Sequence, residues 1–249
     1  MRKIAVISDI HGNLPALEAV IADIKSRQID RIFNLGDHIS GPLYPKETIQ
    51  YLTKQDWVHI RGNHDRQLIE QSPRHHGASD KYAFSFLGHT DLEWLKALPA
   101  NLPIENEFFL FHGTPHSDTT YLLETVAQGK VRLATSTEMD QRLKGVTSRI
   151  MLCGHTHIPR IIEIHPKILI INPGSVGLPA YEDITPEYHM METGSNHARY
   201  AVIEHINGNW QAELLAIPYD HQKAADRARK NGRPDWEFAI RTGSMPHKE

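Results

Sequence analysis

The sequence contains little cysteine and no long apolar run. Only one of its 249 residues is Cys, and aromatic residues make up 8% of the chain. A single Cys cannot form an internal disulfide, and an iron–sulfur cluster or a closed structural zinc site needs more thiolates than one. No apolar stretch is long enough to span a bilayer, and no charged and then apolar leader follows Met1. We therefore expect a cytoplasmic protein without a membrane partner.

The charge balance is also weak, with a formal net charge of -3. This value gives no broad attraction to nucleic acid, so a nucleic-acid partner is not favoured, although a local basic cleft remains open. Basic and acidic residues alternate in the tail, which a solvated helix face explains most simply. The length predicts a single domain over residues 1–249, with a helical cap-like segment at about 66–99 and a helical tail at about 220–249. The oligomeric state stays open.

The first 65 residues alternate apolar runs of strand length with stretches of helical spacing. This alternation is typical of an α/β fold around a largely buried sheet. Asn13 is a suitable N-cap for the first helix, and Thr90 with Glu93 resembles a capping box that opens a later helix. In chain order the pattern predicts a strand at 3–8, a helix at 14–27, a strand at 31–35, a helix at 45–55 and a strand at 57–61.

The second half predicts a second sheet. Two strands should flank the hairpin dipeptide Asn207-Gly208, and the segment 174–198 has no period and is interpreted as a long loop near the site. The other strands are predicted at 108–111, 149–153, 160–164 and 167–171.

Five short polar signatures lie at or just after the predicted strand ends. Side chains beyond the carboxyl ends of neighbouring strands converge on one crevice, so these distant segments can share a site. Carboxylate, imidazole and amide oxygen are ligands that suit Mn, Fe, Zn or Ni. The signatures are Asp9-Ile10-His11-Gly12-Asn13, Gly36-Asp37, Gly62-Asn63-His64-Asp65, His112-Gly113 and Gly154-His155-Thr156-His157.

Taken singly, several of these signatures have ordinary explanations. An Asp-x-His pair is often a cap or a turn, Gly-Asp is a common turn, and His112 could be an ordinary strand-end histidine. The spacing of Asp9 and His11, two residues apart, lets both project to one side of an extended backbone. The same spacing separates His155 from His157. The five signatures in this order make chance implausible.

The ordered set resembles the calcineurin-like metallophosphoesterase superfamily, and the opening segment 7–13 looks most like its small bacterial and archaeal phosphodiesterase branch. The resemblance runs from about 1 to 177, with further matches at 41–45 and 172–177. It implies two packed mixed β-sheets flanked by helices, a four-layer sandwich. The stretch 38–41 departs from the pattern of relatives, which leaves the choice of substrate open.

Carried over residue by residue, the resemblance implies two divalent ions and a catalytic histidine. Asp37 would bridge the ions, His64 would be catalytic, and Asp65 would orient His64. The first ion would be held by Asp9, His11, Asp37 and His157, and the second by Asp37, Asn63, His112 and His155. Mn is expected first, with Fe, Zn, Ni or Co as alternatives.

The function that follows is a dinuclear metal-dependent phosphoesterase acting on a small phosphodiester or phosphomonoester by a metal-activated hydroxide, with phosphodiester hydrolysis favoured. His64 would donate a proton to the leaving group. His116, Ser117 and Tyr121 either line the substrate pocket or are loop residues. The alternatives are a phosphoesterase-like scaffold without catalysis, which a missing ligand would indicate, and a metallonuclease, which differs only in substrate.

Overall fold

Two five-stranded mixed β-sheets form the centre of the structure, a computed structural model that describes residues 2–146, 148–164 and 168–246. Two further pairs of strands form small separate sheets in these ranges. The elements are β1 (Arg2–Ile7), α1 (Leu14–Ser26), β2 (Arg31–Asn34), α2 (Pro45–Leu52), β3 (Val58–His59), α3 (Asn63–Glu70), α4 (Ala78–Phe84), α5 (His89–Ala97), β4 (Asn101–Ile104), β5 (Phe108–Phe111), β6 (Glu124–Ala127), β7 (Lys130–Leu133), α6 (Ser136–Leu143), β8 (Ile150–Leu152), β9 (Arg160–Ile164), β10 (Ile168–Asn172), β11 (Ala180–Asp183), β12 (His189–Glu192), β13 (Ala198–Ile206), β14 (Asn209–Ile217), α7 (His221–Lys230) and α8 (Pro234–Thr242).

The first sheet has the strand order β14-β13-β1-β2-β3. Its strands β1, β2 and β3 run parallel, whereas β13 pairs antiparallel with β1 and with β14. The hairpin at Asn207-Gly208 is confirmed, with both residues at positive φ, as its turn chemistry requires. It extends the first sheet and not the second.

The second sheet has the order β4-β5-β8-β10-β9, and its central strands β5, β8 and β10 are parallel. Apolar side chains from both sheets meet in one buried cluster that includes Ile4, Phe33 and Phe108. The rings of Phe33 and Phe108 contact edge to face, 5.7 Å between centroids, which joins β2 of one sheet to β5 of the other.

Helices cover the outer faces of both sheets. Helix α1 buries Leu17, Val20 and Ile24 against the first sheet, and α6 buries Met139 and Leu143 against the second. The prediction of an α/β fold with two packed mixed sheets flanked by helices is confirmed. In the described ranges, none of the helices combines the length and the apolar character of a bilayer span.

Two local predictions need correction. Helix α5 begins at His89 and its cap is Gly88 with Asp91, because the Asp91 carboxylate accepts from the Gly88 amide at 2.8 Å. The capping box expected at Thr90 and Glu93 is therefore wrong by two residues. The segment 174–198 is not all loop, since β11 and β12 pair there as an antiparallel hairpin.

Two predictions touch residues outside the described ranges. Lys167, the first residue of the strand expected at 167–171, lies outside them, and the strand is described from Ile168. The helical tail expected at about 220–249 is described to residue 246, and it consists of two helices, α7 and α8, joined by a turn. The single-domain division stays a prediction.

The loops that follow β1, β2 and β10 are hydrogen-bonded to one another. The Asp9 amide donates to Gly36 and the His11 amide donates to Asp37, each at 3.0 Å. The amide of Gly177 in turn donates to the Asp9 carbonyl at 3.0 Å. The backbone of Asp9 is thus held from two sides.

The close packing of Gly177 gives a prediction about stability. A Cβ added at Gly177 would overlap the Ile10 carbonyl oxygen, whereas a Cβ at Gly77 would meet nothing within 4 Å. We expect Gly177→Ala to lower the free energy of unfolding by about 1–3 kcal/mol through overpacking, as measured by urea denaturation. The matched variant Gly77→Ala should change it far less, and equal losses in the two variants would contradict this account.

Candidate metal centre

The predicted site residues meet at one edge of the two sheets. Asp9 and His11 follow β1, Asp37 follows β2, and His112 follows β5. Asn63 and His64 begin α3, and His155 and His157 follow β8. Most of them are deeply buried, with exposed fractions of 0% for Asp9 and 1% for Asp37 and His112. The sequence-based expectation of one shared crevice therefore matches the arrangement of these side chains.

The backbone at this edge is left-handed at five of the predicted ligands. Their φ values lie between 50° and 69°, a region that costs free energy for residues other than Gly. The five are Asp9, His11, Asp37, His155 and His157. The expectation that Asp9 with His11, and His155 with His157, lie on an extended backbone is wrong, because the chain turns sharply at both pairs. Each pair still directs both side chains into the site.

One cluster of candidate ligands consists of Asp9, His11 and His157, whose donor atoms lie within 4.8 Å of one another. The Nδ1 atoms of His11 and His157 donate to the carbonyls of Ser40 and Leu178, at 2.8 and 2.7 Å. A carbonyl only accepts, so each ring carries its proton on Nδ1 and presents the lone pair of Nε2. These Nε2 atoms are 3.2 Å apart, and that of His157 is 3.3 Å from Asp9 Oδ1. Facing lone pairs beside a carboxylate favour a cation between them.

A second cluster consists of Asp9, Asp37 and His112. His112 Nδ1 donates to the Leu35 carbonyl at 2.7 Å, which directs Nε2 to within 3.3 Å of Asp37 Oδ2 and 3.8 Å of Asp9 Oδ1. Burial opposes charge on this ring, but Asp37 and Asp9 outweigh burial and raise the pKa of His112 to about 10. A cation bound here would replace a proton, because a ligating imidazole must be neutral.

The donors of these clusters fit a divalent ion. Asp9 Oδ1 and Asn63 Oδ1 are buried without a hydrogen-bond partner, an arrangement that costs free energy unless something else binds them. Burial lowers the pKa of His11 to about 4, so that ring is neutral and suited to coordination. The bonds from Nδ1 to backbone carbonyls are the supports that orient metal-binding imidazoles. Carboxylate, imidazole and amide together suit Mn, Fe, Zn, Ni or Co.

His155 lies beside the second cluster. Its ring centroid is 5.2 Å from that of His112, and burial together with His112 lowers its pKa to about 3. Its backbone amide donates to Asp9 Oδ2 at 3.2 Å, and its carbonyl accepts from the Tyr181 hydroxyl at 3.1 Å. The ring of Tyr121 packs on the ring of His155, with 4.9 Å between the centroids.

His116 and Ser117 line a separate cavity on the other side of His112. Its volume is about 240 Å³, and Arg66 also lines it. The Arg66 guanidinium is paired with Asp118 through bonds of 2.6 and 3.0 Å. These residues therefore flank the centre and do not lie in the main cleft.

Asp65 does not bond to the His64 ring, contrary to the expectation from the sequence. The carboxylate is fully buried and accepts from His38 Nδ1 at 2.7 Å. It also accepts from the backbone amides of Asp37, His38 and Gly62, between 2.8 and 3.1 Å. The position of Asp65 in the first turn of α3 aims it at these amides, so it ties β2's loop to that helix.

The residue that bonds to His64 is Asp80 of α4. His64 Nδ1 donates to Asp80 Oδ1 at 2.8 Å, and the Ser40 hydroxyl donates to the same oxygen. Asp80 has no motif around it in the sequence. The only feature of the sequence that points to Asp80 is its position in the cap-like helical segment predicted at about 66–99.

The main cleft opens beside His64 and has a volume of about 260 Å³. One wall comes from β11 and α8, which sequence reasoning missed. Trp236 of α8 lies against the His11 ring, 5.9 Å between centroids. A Cβ at Gly41 would come within 2.7 Å of the Trp236 ring, so the glycine leaves room for it. The cleft is lined by His11, Asp37, Asn63, His64, Ser79, His155, His157, Leu178, Ala180, Tyr181, Glu182, Asp183, Arg233, Asp235, Trp236, Ala239 and Met245.

The interpretation of the whole tail as a solvated face is therefore wrong at its second helix. Arg233 and Asp235 form a bidentate ion pair at the rim of the cleft, and the Arg233 guanidinium lies 5.5 Å from the centroid of the Trp236 ring. The alternation of charges in the sequence does not reveal this contact, because it arises from the turn between α7 and α8.

Comparisons with known proteins agree with this arrangement. The family model described as the calcineurin-like phosphoesterase superfamily domain matches residues 2–196. An uncharacterized protein of Methanocaldococcus jannaschii is 27% identical over 257 residues, covering 94% of each chain. A crystal structure of a metallophosphoesterase from Sphaerobacter thermophilus has a TM-score of 0.75 at 22% identity, covering 97% of this chain and 99% of that one. A hypothetical protein from Pyrococcus horikoshii has a TM-score of 0.76 at 22% identity, with both chains covered completely.

The bonds of Asp65 predict a large effect on stability. Burial raises the pKa of Asp65, but His38 and the Gly62 amide hold it below its ordinary value. The carboxylate therefore stabilises the fold at neutral pH, and that contribution is lost as the pH falls into the acid range. We expect Asp65→Asn to lower the free energy of unfolding by about 3 kcal/mol at pH 7, measured by urea denaturation.

Asp91 provides the matched control, since it occupies the same third position of its own helix and caps it. Asp91→Asn should cost only about 1 kcal/mol, the usual value of a helix cap. A loss in Asp65→Asn no larger than in Asp91→Asn would show that the additional bonds of Asp65 do not contribute.

Proposed function

Because the chain belongs to the calcineurin-like phosphoesterase superfamily, we propose that it is a dinuclear metal-dependent phosphoesterase. The substrate would be a small phosphodiester or phosphomonoester, with the phosphodiester favoured, and a water-derived hydroxide would be the nucleophile. A cytoplasmic location stays a prediction from the sequence.

The observation that carries the proposal is the pair of buried ligand clusters that share Asp9. Asp37 Oδ2 lies 3.8 Å from His11 Nε2 and 3.3 Å from His112 Nε2, so this carboxylate faces both clusters. That position supports Asp37 as the bridging ligand. The first ion would be held by Asp9, His11, Asp37 and His157, and the second by Asp37, Asn63, His112 and His155.

When bound, divalent ions would polarise the phosphate oxygens and lower the pKa of a water molecule into the neutral range. The donor set supports Mn, with Fe, Zn, Ni or Co as alternatives. The protein holds the ligand rings rigid, because the three carbonyl-bonded rings of His11, His112 and His157 cannot rotate without breaking a buried hydrogen bond.

His64 is suited to protonate the leaving oxygen. Its Nδ1 is bonded to Asp80, which leaves Nε2 as the ring nitrogen available to a ligand in the cleft. Burial lowers the pKa of this ring, but Asp37 and Asp80 outweigh burial and raise it to about 9. A protonated ring in this position would supply the proton that an alkoxide leaving group needs.

The shape and charge of the cleft favour a small ester. A volume of about 260 Å³ is at the lower end for ligand pockets. The wall opposite the clusters carries Glu182 and Asp183, while its one arginine, Arg233, is paired with Asp235. Acidic groups repel further phosphates, so this wall supports a neutral or hydroxyl-rich alcohol group and does not favour a nucleic-acid strand.

The number of bound ions gives the first test. We expect about two ions per chain by elemental analysis after loading with Mn and gel filtration, together with Mn-dependent release of nitrophenol from bis(p-nitrophenyl) phosphate. Asp37→Asn should lose metal and activity, since it removes the charge of the carboxylate proposed to bridge the ions. Asp91→Asn, far from the ligands in sequence and bonded to Lys46, should retain both. Retained metal without turnover on any ester would instead favour the scaffold function.

The proton donor gives the second test. We expect His64→Ala to lower kcat on an ester with a poor leaving group, such as ethyl phenyl phosphate, by about 100- to 10,000-fold, the usual range for general acid catalysis, while the bound metal is unchanged. The exposed His75 provides a control, and His75→Ala should keep the wild-type kcat. A His64→Ala variant with wild-type kcat would remove His64 from the mechanism.

A further inference from the structure

Two buried groups, Asp80 and Ser40, contact the Nδ1 side of the His64 ring. Asp80 Oδ1 accepts from His64 Nδ1 at 2.8 Å and from the Ser40 hydroxyl. Ser40 Oγ is itself 3.4 Å from His64 Nδ1. Ser40 is fully buried and Asp80 is 3% exposed, whereas the His64 side chain is 33% exposed. The ring is therefore held at Nδ1 by buried groups, and the rest of the ring is accessible from the cleft.

The Asp80 carboxylate is held in place because helix α4, which carries it, is itself anchored. Arg233 Nη1 donates to the Ser79 hydroxyl at 2.8 Å, next to Asp80 in the chain. One turn along, the Tyr82 hydroxyl accepts from Asn231 Nδ2 at 2.7 Å. Both bonds come from the connection between α7 and α8. The C-terminal helices thus fix the helix that carries Asp80.

Asp65, the carboxylate that follows His64 in the chain, cannot take this role. Its two oxygens accept from three backbone amides and from His38 Nδ1. Rotation of Asp65 toward His64 would leave those buried donors unsatisfied, which is costly. The bonding pattern therefore separates the two acids into a loop support and a partner of the histidine.

We propose that Asp80, brought to the site by α4 and held by Ser40, is the positioning residue of His64. By accepting from Nδ1 it fixes the ring tautomer and directs Nε2 into the cleft. The effect of Asp80 on catalysis rests on the proposed function, whereas its effect on the geometry of the His64 ring does not.

The kinetic test compares two leaving groups. Ethyl p-nitrophenyl phosphate has a good leaving group and ethyl phenyl phosphate a poor one, so only the second depends strongly on a proton donor. We expect Asp80→Ala to lower kcat on the phenyl ester by about 10- to 100-fold and to affect the nitrophenyl ester less. Asp80→Asn, which keeps an oxygen acceptor, should recover part of the loss. An equal loss on both esters, or none, would overturn the proposal.

A double variant tests whether Asp80 acts through His64. His64→Ala with Asp80→Ala should be no slower on the phenyl ester than His64→Ala alone, because a positioning residue has no effect once its partner is gone. Multiplying losses would mean that Asp80 acts elsewhere. Asp91→Asn serves as the control for a buried acid on the neighbouring helix and should keep the wild-type ratio of rates between the two esters.

A magnetic resonance test does not depend on activity. In the metal-free full-length protein labelled with ¹⁵N at histidine, the hydrogen-bonded Nδ1 proton of His64 should give a low-field signal that His64→Ala removes. We expect Asp80→Ala to remove or shift that signal and Asp91→Asn to leave it unchanged. A signal unaffected by Asp80→Ala would overturn the proposal. A wild-type protein that cleaves neither ester but shows the Asp80-dependent signal would contradict the proposed function alone.

Discussion

The buried carboxylates Asp9 and Asp37 are the constraint on which the site depends. Both are almost fully removed from water, and like charges in such a place must be compensated. The compensation comes from imidazole nitrogens, since His157 Nε2 and His112 Nε2 each lie 3.3 Å from one of the two carboxylates. The carbonyl bonds at Nδ1 prevent these rings from turning away. The fold therefore maintains a place for positive charge, whether a proton or a metal ion fills it.

The same constraint accounts for the glycines beside the ligands. A Cβ at Gly62 would overlap the Asp37 carboxylate, and one at Gly154 would overlap Ser8 Oγ and approach Asp9 Oδ2 to 2.8 Å. Each carboxylate is thus packed directly against backbone that has no side chain. Gly62 and Gly154 therefore follow from how little space surrounds the two acids.

The candidate ligands could be singled out in the sequence because each belongs to a short polar signature that contains a glycine and follows an apolar strand. This local pattern, together with parallel strand order, implies convergence without knowledge of distant contacts. Asp80 and Trp236 could not be predicted in this way. Asp80 reaches His64 because the turn between α7 and α8 holds α4, and Trp236 reaches His11 because Gly41 leaves space. Contacts that depend on packing between distant segments leave no periodic trace in the chain.

The candidate ligands and the α8 wall of the cleft come from different parts of the chain. The family match ends at residue 196, whereas α8, which supplies Trp236 and adjoins Arg233, begins at Pro234. The ligands all lie before residue 158, and their supports are bonds to nearby loops. Substitutions in α8 can therefore reshape the cleft while the hydrogen bonds that orient the candidate ligands His11, His112 and His157 stay in place. The exception is the bond from Arg233 to Ser79, through which the substrate wall also holds the helix that carries Asp80. The bond from Arg233 to Ser79 therefore links the wall of the cleft to the helix whose Asp80 orients His64.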